Sequence, residues 1–198
     1  MSLNRIIIGV TGGSGAGKGE VCRALVEMNA QILDADDMSH EVILRGKTAA
    51  YDEIWGHFGN EVLDTKGEID RKVLGRIVFN DSEKLAVLTK IVHKYVIQRT
   101  LEALAISSNR IIVIDAPLLV EAGVHNMCNV VVGVFAPREV RMERIMKRDG
   151  ITFEAALARI NSQMSDSELA NHCDYIIHNN GDLEDLNAQI MDFAKVIL

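Results

Sequence analysis

The chain has 198 residues, of which 48% are hydrophobic and 25% are charged, and its formal net charge is −7. This size suits one compact domain with an ample core, and the acidic balance disfavours general nucleic-acid binding, which needs a basic face. Cys22, Cys128 and Cys173 are widely spaced and odd in number, so we predict neither disulfides nor a zinc site and expect a cytoplasmic protein. No apolar run reaches the length of a bilayer span and no signal peptide is evident, so we expect no membrane association.

The first predicted strand, Ile6–Val10, leads into a glycine-rich segment with the spacing Gly12-x-x-x-x-Gly17-Lys18. This spacing is typical of a P-loop, whose backbone N–H groups turn inward around phosphate oxygens. Glycine permits the positive φ angles and close approach that the turn needs, and the helix predicted over Gly17–Met28 points its positive end at the phosphates. The predicted nucleotide-binding residues of the loop are Gly13, Ser14, Gly15, Ala16, Gly17, Lys18, Gly19 and Glu20.

Two positions after the loop lysine differ from the usual P-loop. Gly19 stands where a Ser or Thr hydroxyl usually binds Mg²⁺. The run Gly15–Gly19 resembles the loop of adenylate kinases, in which a glycine at this place is compatible with catalysis. Glu20 brings a carboxylate close to the phosphates, which is repulsive unless the side chain points away along the helix.

A short second strand over Gln31–Leu33 ends at Asp34-Ala35-Asp36. Carboxylates at alternate positions could face the same direction, and ligands of open α/β sheets bind beyond the carboxyl ends of the strands. In phosphoryl transfer one aspartate can accept the proton of the attacking hydroxyl and another can help to hold Mg²⁺. The alternative is a helix N-cap, because Asp36-Asp37 precedes a possible helix. We predict that Asp36 is catalytic.

The segment from about residue 48 to 104 shows helical periodicity and few strand signals. A helical block between strands of one sheet predicts an insertion that covers the substrate. His93 lies there among apolar residues, where a histidine is more often packed or capped than a ligand.

Three more strands are predicted over Arg110–Asp115, Val130–Phe135 and Tyr175–Ile177. Near-continuous β-branched runs are typical of parallel strands covered on both faces. The alternation of strands and helices predicts an α/β fold with a doubly wound parallel sheet flanked by helices. Asp115 ends its strand in the Walker B pattern, so it is a candidate for binding Mg²⁺ through water, although many strands end in Asp.

A basic stretch follows Pro137 and consists of Arg138, Arg141, Arg144, Lys147 and Arg148. In a helix, Arg141, Arg144 and Arg148 would share one face. Such runs are usually solvated, and Glu139 and Glu143 could pair with them. A P-loop kinase, however, needs arginines that neutralise the transferred phosphoryl group. We therefore predict a lid over about 138–165, with Arg144 and Arg148 as phosphate-binding residues.

These motifs, in this order, resemble those of dephospho-coenzyme A kinases over nearly the full chain. The matching residues are Thr11-Gly12-Gly13 with the P-loop, Asp34-Ala35-Asp36, His57-Phe58-Gly59, Gly67 to Arg71 with Leu74 and Phe79, His93, Pro117-Leu118-Leu119-x-Glu121, Arg144-x-x-x-Arg148-Asp149, Gln163, and Asp174-Tyr175-Ile176-Ile177 with Asn179. The resemblance implies transfer of the γ-phosphoryl group of ATP to the ribose 3′-hydroxyl of dephospho-CoA, giving CoA and ADP, in the last step of coenzyme A biosynthesis.

Carried over residue by residue, the resemblance implies that Asp36 is the general base, that Lys18 and the loop bind ATP, and that Arg144 reaches the transferred group. The expected substrate-binding residues are Asp34, Asp36, His40, His93, Pro117, Leu118 and Glu121. We expect Mg²⁺ as the cofactor, near Asp36 and Asp115 and held through water. The expected partners are ATP and dephospho-CoA alone, and the expected assembly is a monomer or a small homo-oligomer.

The chain departs from the family pattern at Gly19, Glu20, His40, Lys94, Leu169 and Cys173. His40 replaces an arginine and can still carry charge at mildly acid pH. Two other functions stay open at this stage: a nucleoside monophosphate kinase, and a non-catalytic nucleotide- or CoA-binding protein. The absence of an Asn-Lys-x-Asp element disfavours a GTPase. The predicted organisation is a core over about 1–47 and 105–198, with the insertion over about 48–104.

Overall fold

A computed structural model describes residues 5–197 and divides them into two units. The first unit combines the described residues up to Leu33 with those from Ser108 onward, and the second unit is Asp34–Ser107. The first unit contains a five-stranded sheet, whereas the second is helical apart from a single antiparallel bridge between Leu63 and Ile69.

The strands of the sheet run in the order β2-β3-β1-β4-β5. They are β1 (Ile6–Thr11), β2 (Gln31–Asp34), β3 (Ile111–Asp115), β4 (Val130–Phe135) and β5 (Tyr175–His178). The pairs β1·β3, β1·β4 and β4·β5 are all parallel. Successive strands thus lie first on one side of β1 and then on the other, which is the doubly wound arrangement that the sequence predicts. The five predicted strands are confirmed.

Helices cover the sheet of the first unit. They are α1 (Lys18–Glu27), α6 (Arg138–Asp149), α7 (Phe153–Asn161), α8 (Asp166–Ala170) and α9 (Leu183–Ile197), with a 3₁₀ turn at Val124–Met127. The main core joins fully buried strand residues such as Ile8 and Val132 to Leu25 of α1 and Phe193 of α9. Strands covered on both faces need apolar residues at every position, which explains the unbroken β-branched runs.

Two glycines within the strands mark close packing of the helical connections on the sheet. A Cβ atom at Gly9 would lie 2.7 Å from Cys128 Sγ, and one at Gly133 would lie 2.6 Å from Cys173 Sγ. The thiols therefore fill space that the glycines leave open. Burial raises the pKa of Cys128 to about 12 and that of Cys173 to about 11, so neither thiol is suited to act as a nucleophile at neutral pH.

The helical unit comprises α2 (Ala35–Val42), α3 (Ala50–Phe58), α4 (Arg71–Val78) and α5 (Ser82–Ile106), with a 3₁₀ turn at Asn60–Val62. Three of these helices are preceded by an N-cap aspartate whose carboxylate accepts two backbone N–H groups of the first turn, namely Asp34 for α2, Asp70 for α4 and Asp81 for α5. Such caps satisfy N–H groups that have no partner within the helix. The insertion predicted over 48–104 lies within this unit, which also includes α2.

The segment Asp34-Ala35-Asp36 spans the junction between β2 and α2. Asp34 ends β2, and α2 begins at Ala35, so Asp36 lies in the first helical turn. The sequence argument that carboxylates two positions apart could face the same direction applies to extended backbone, whereas Asp36 lies in a helical turn. The helix N-cap that the sequence suggested at Asp36 is Asp34 instead, because its Oδ1 accepts from the N–H groups of Asp36 and Asp37. Within residues 5–197 we find no helix that combines the length and apolar character required to traverse a bilayer.

Candidate active site

The glycine-rich loop joins β1 to α1 at the carboxyl end of the sheet. Gly12, Gly15 and Gly17 have φ angles of 151°, 78° and 97°, a region that side-chain-bearing residues rarely adopt. Lys18 is the first residue of α1, and its Nζ donates to the carbonyl oxygen of Gly12 at 3.1 Å. This bond joins the last residue of the motif to its first glycine. The N–H groups of the loop lie at the positive end of the ten-residue helix α1.

Arg144 and Asn179 hold the carbonyl side of this loop. Arg144 Nη1 donates to the carbonyl oxygens of Gly15 at 3.3 Å and Ala16 at 3.5 Å. Asn179 Nδ2 also donates to Ala16, at 3.0 Å, while Asn179 Oδ1 accepts from Arg144 Nη2 at 3.1 Å. A Cβ atom at Gly17 would lie 2.0 Å from Asn179 Nδ2, so this packing requires a glycine there. Arg144, a predicted site residue, is thus in contact with the P-loop.

Arg148, the second predicted lid arginine, has a different partner. Its Nε and Nη2 donate to the two carboxylate oxygens of the adjacent Asp149, at 2.7 and 2.9 Å. Arg159 of α7 pairs with the same carboxylate. These two arginines, Arg148 first, lower the pKa of Asp149 to about 2. Arg148 is 62% exposed, so in this structure it belongs to a surface ion-pair cluster rather than to the loop.

Sequence reasoning missed Arg141, which is the residue of α6 most closely packed on the P-loop. It is 4% exposed, and its Nε donates to the carbonyl oxygen of Ser14 at 3.0 Å. Gln163, which the sequence flagged without a role, accepts from the Ser14 N–H at 2.8 Å. The available signal for Arg141 was its place three residues before Arg144, on the same face of a predicted helix.

The two unusual residues after Lys18 fit the loop without conflict. Gly19 is exposed, and a Cβ atom there would meet no atom within 4 Å. Glu20 forms an ion pair with Arg23, three residues further along α1. Its carboxylate is therefore directed along the helix and has a partner, which removes much of the expected repulsion toward phosphate.

Asp115 ends β3 next to the start of the loop. It is half-buried and lies in register with Val10 of β1, the residue before Thr11. Thr11 Oγ1 donates to the carbonyl oxygen of Pro117 at 3.4 Å, which brings the segment Pro117–Glu121 to the same end of the sheet. Within that segment the side chains of Leu118 and Glu121 are exposed.

One carboxylate, that of Asp115, lies near the start of the loop and is a ligand type that Mg²⁺ accepts. Across residues 5–197 no group of three or more His, Cys, Asp or Glu side chains is arranged to hold a metal ion. Magnesium does not need such a cage, because it keeps several waters and binds through one or two carboxylates together with substrate phosphates. Asp115 supplies a carboxylate of this kind at the carboxyl end of β3.

A cavity of about 420 Å³ opens beyond the carboxyl ends of β4 and β5. It is lined by Phe135, Ala136, Pro137, Asp166, Ser167, Ala170, Ile176, His178 and Asn180. Its wall includes the residues on either side of Asn179, which contacts the P-loop. This end of the sheet is where α/β proteins bind their ligands.

The helical unit has a separate groove of about 640 Å³, mostly lined by apolar residues. Its lining residues are Ser39, His40, Ile43, Arg71, Lys72, Leu74, Gly75, Val78, Phe79, Leu85, Leu88 and Val92. Arg71 Nη2 lies 2.5 Å from His40 Nε2, and because arginine can only donate, His40 accepts through this nitrogen. Asp36 is exposed in the first turn of α2, one helix turn before His40, and His93 is half-buried on α5.

The remaining departures from the family pattern have local structural partners. Lys94 Nζ donates to Glu53 Oε1 at 2.7 Å, and the hydroxyl of Tyr95 donates to the same oxygen at 2.6 Å. These bonds lower the pKa of Glu53, and they raise the pKa values of Lys94 and Tyr95. Leu169 is buried beside Phe135, in a cluster that Cys173 also contacts.

The fold and the loop together define a P-loop kinase: a parallel sheet whose first strand turns through Gly12–Gly17 into a helix that begins with Lys18. Comparison with known proteins gives the particular kind. Residues 6–185 match the model of the family described as dephospho-CoA kinase, and the chain belongs to this family.

Relatives match over almost the whole chain. The dephospho-CoA kinase of Fusobacterium nucleatum is 38% identical over 195 residues, covering 98% of this chain and 100% of the relative. A solved structure titled TT1252 from Thermus thermophilus has a TM-score of 0.82 and 30% identity, with 98% of each chain covered. The dephospho-CoA kinase structure from Campylobacter jejuni has a TM-score of 0.70 and 28% identity, with 96% of each chain covered. The family resemblance and the fold class predicted from the sequence are confirmed.

Proposed function

We propose that this chain transfers the γ-phosphoryl group of ATP to the ribose 3′-hydroxyl of dephospho-CoA, giving CoA and ADP. The observation that carries the proposal is the match to dephospho-CoA kinases over almost the whole chain. It is supported by a P-loop in which the Lys18 side chain donates to the carbonyl oxygen of Gly12. The attacking oxygen of the ribose forms a new bond to phosphorus, the bond from phosphorus to the leaving oxygen of ADP breaks, and the hydroxyl proton goes to a base.

On the ATP side, we assign phosphate binding to the loop and to Lys18. An ammonium group has three donors, so Lys18 can keep its bond to Gly12 and still bind β- and γ-phosphate oxygens. Arg144 supplies a permanent positive charge to the transferred group, where negative charge spreads over the phosphoryl oxygens. Its contacts with Gly15 and Ala16 keep that charge beside the loop. Arg148 would need to leave Asp149 before it could contribute.

On the acceptor side, we assign Asp36 as the general base for the 3′-hydroxyl. Its carboxylate is exposed on the first turn of α2 and so is open to substrate. Asp34 is then a positioning residue, because its N-cap bonds to Asp36 and Asp37 fix the start of the helix. Such a base contributes a factor on the order of 10²–10⁴ to the rate of the catalysed reaction.

The groove of the helical unit suits the rest of dephospho-CoA. Its apolar lining matches a long, uncharged arm, and the lining residues Arg71 and Lys72 offer charged donors to phosphate oxygens. His40, which accepts from Arg71 through Nε2, can add a neutral donor through Nδ1. In a chain with a net charge of −7, such a local concentration of basic groups is needed to attract an anionic acceptor. Pro117, Leu118, Glu121 and His93 remain proposed substrate contacts.

Mg²⁺ is the proposed cofactor, with Asp115 and Asp36 as candidate ligands acting through water. A bound magnesium ion would neutralise charge on the phosphates and assist departure of ADP. Hard oxygen donors of this kind are the ligands that it prefers. The three free cysteines suit the reducing cytoplasm, where we place the enzyme as a monomer or small homo-oligomer without nucleic-acid partners.

The deciding experiment measures ADP release from ATP and Mg²⁺ with dephospho-CoA, AMP, a deoxynucleoside monophosphate or no acceptor. We expect dephospho-CoA alone to stimulate ADP release, with CoA identified as the product by mass spectrometry. Lys18→Ala protein, purified in the same way, controls for contaminating kinases. Stimulation by a monophosphate would make the protein a nucleoside monophosphate kinase, and ATP binding without turnover on any acceptor would make it a non-catalytic binder.

A further inference from the structure

The peptide group of Ser14 is held at both ends by side chains from outside the P-loop. Its N–H donates to Gln163 Oε1 at 2.8 Å, and its carbonyl oxygen accepts from Arg141 Nε at 3.0 Å. Gln163 Oε1 also accepts from Arg141 Nη2, at 3.4 Å. Because both groups that contact the side-chain amide of Gln163 are donors, the oxygen of that amide, and not its nitrogen, must face them. Ser14, Gln163 and Arg141 thus form a closed ring of three hydrogen bonds on one side of the loop.

Arg141 takes part in this ring although its burial is unfavourable. The residue is 4% exposed, and a buried guanidinium is costly unless its charge is paired. Asp166 of α8 provides the pair, accepting from Arg141 Nη1 at 2.8 Å. Each nitrogen of the planar fork therefore has its own partner, and a lysine could not reproduce this arrangement.

The close approach of Arg141 also explains one glycine of the loop. A Cβ atom at Gly13 would lie 2.0 Å from Arg141 Nη2, and one at Gly15 would lie 2.6 Å from the Arg141 carbonyl oxygen. Gly15 has a positive φ, but Gly13 does not. A side chain at position 13 would therefore displace the Arg141 guanidinium, so the clash there comes from the packing of α6 on the loop and not from the backbone conformation.

We propose that Gln163 and Arg141 are positioning residues for nucleotide binding, which hold the P-loop in its phosphate-binding shape before ATP arrives. A glycine-rich segment loses much conformational freedom when it becomes ordered. The hydrogen-bonded ring removes that cost from the binding step, as preorganisation does in general. It also commits the Ser14 N–H to Gln163, which leaves phosphate binding to the other N–H groups of the loop. The inference rests on the proposed function only in taking ATP and ADP as ligands.

The first test is binding of ADP, titrated calorimetrically without any acceptor substrate. Gln163→Leu removes the acceptor at similar volume, and we expect about 10-fold weaker binding, equivalent to about 1.4 kcal/mol. Gln163→Glu keeps an oxygen acceptor for both donors and should stay within about threefold of the wild type. Gln98→Leu is the matched control, because Gln98 is exposed on α5 and donates to Glu102, and it should bind ADP normally. If Gln163→Leu does not fold, Gln163→Asn withdraws the oxygen with a smaller change and should weaken binding in the same direction.

Steady-state kinetics separate positioning from a general structural role. Gln163→Leu should raise the KM for ATP about 10-fold and leave the KM for dephospho-CoA within about twofold. Three results would overturn the proposal: unchanged ADP binding by Gln163→Leu, equal weakening by Gln163→Glu, or a parallel rise of both KM values. Because the ADP titration uses no acceptor, a failure of dephospho-CoA as substrate would refute the proposed function and leave this test intact.

Discussion

Asn179 Nδ2 donates a hydrogen bond of 3.0 Å to the carbonyl oxygen of Ala16, which ties the residue after β5 to the P-loop. The other end of the same amide accepts from Arg144 Nη2 at 3.1 Å, and the backbone N–H of Asn179 donates to Phe135 at 2.7 Å. Asn179, which follows the last strand, and Arg144 of α6 therefore both donate to the carbonyl oxygen of Ala16. Since Asn179 is 4% exposed, water cannot readily replace these bonds.

Asn179→Ala should weaken both the fold and nucleotide binding. Leaving buried partners unsatisfied costs about 1–3 kcal/mol, which urea unfolding would measure as a lower free energy of unfolding. The loop also loses a support, so the KM for ATP should rise. Asn171→Ala, at an exposed position after α8, is the control and should change neither quantity. Wild-type values of both quantities in Asn179→Ala would show that the Ala16 contact is dispensable.

The sheet and the loop could be predicted from sequence because their signals are local. Unbroken β-branched runs indicate covered parallel strands, and the spacing from Gly12 to Lys18 specifies the phosphate-binding turn. The ion pair of Glu20 with Arg23 could also be predicted from the sequence, because residues three apart on a helix are neighbours. Each of these features depends on a few consecutive residues.

The supports of the loop could not be predicted because they depend on distant packing. The spacing of Arg141, Arg144 and Arg148 places them on one face, but only the fold shows that Arg141 is buried while Arg148 pairs with Asp149. The start of α2 at Ala35 was missed for a related reason. Asp34 caps that helix through its own side chain, and an aspartate after an apolar run suits a strand end or a cap equally well.

Asp36→Asn should abolish most turnover without affecting nucleotide binding. The substitution keeps the shape of the side chain and removes its ability to accept a proton, so kcat should fall on the order of 10²–10⁴-fold while ADP binding stays normal. Asp37→Asn is a close control, because it changes the charge equally at the next exposed position of α2. Similar kcat values in the two variants would remove Asp36 from the role of base.

Gly19→Ser should be accepted by the fold and should lower the Mg²⁺ concentration needed for half-maximal rate. A Cβ atom at Gly19 meets nothing within 4 Å, and serine is a better helix former than glycine by about 0.5 kcal/mol. Gly17→Ser is the contrasting variant, since its Cβ would lie 2.0 Å from Asn179 Nδ2 at a φ of 97°. We expect that second change to abolish ATP binding. An unchanged Mg²⁺ dependence in Gly19→Ser would indicate that water already fills the role of the hydroxyl.

Asp149 should contribute to stability above about pH 4 and lose that contribution as the pH falls toward 2. Its pKa is lowered from 3.8 to about 2 by hydrogen bonds from Arg148 and then Arg159, so the folded protein holds the proton less tightly than the unfolded chain. Stability therefore rises with pH across this window, where the unfolded state binds more protons.

Asp149→Asn cannot ionise at position 149 and should flatten the part of the pH dependence that arises from this group. Free energies of unfolding measured in urea at pH 6, 4 and 3 would show this change. Asp192→Asn, which removes an exposed carboxylate paired only with Lys195 among the described contacts, should leave the slope between pH 4 and 3 nearly as in the wild type. Equal slopes in the wild type and Asp149→Asn would mean that the cluster of Asp149 with Arg148 and Arg159 does not persist in solution.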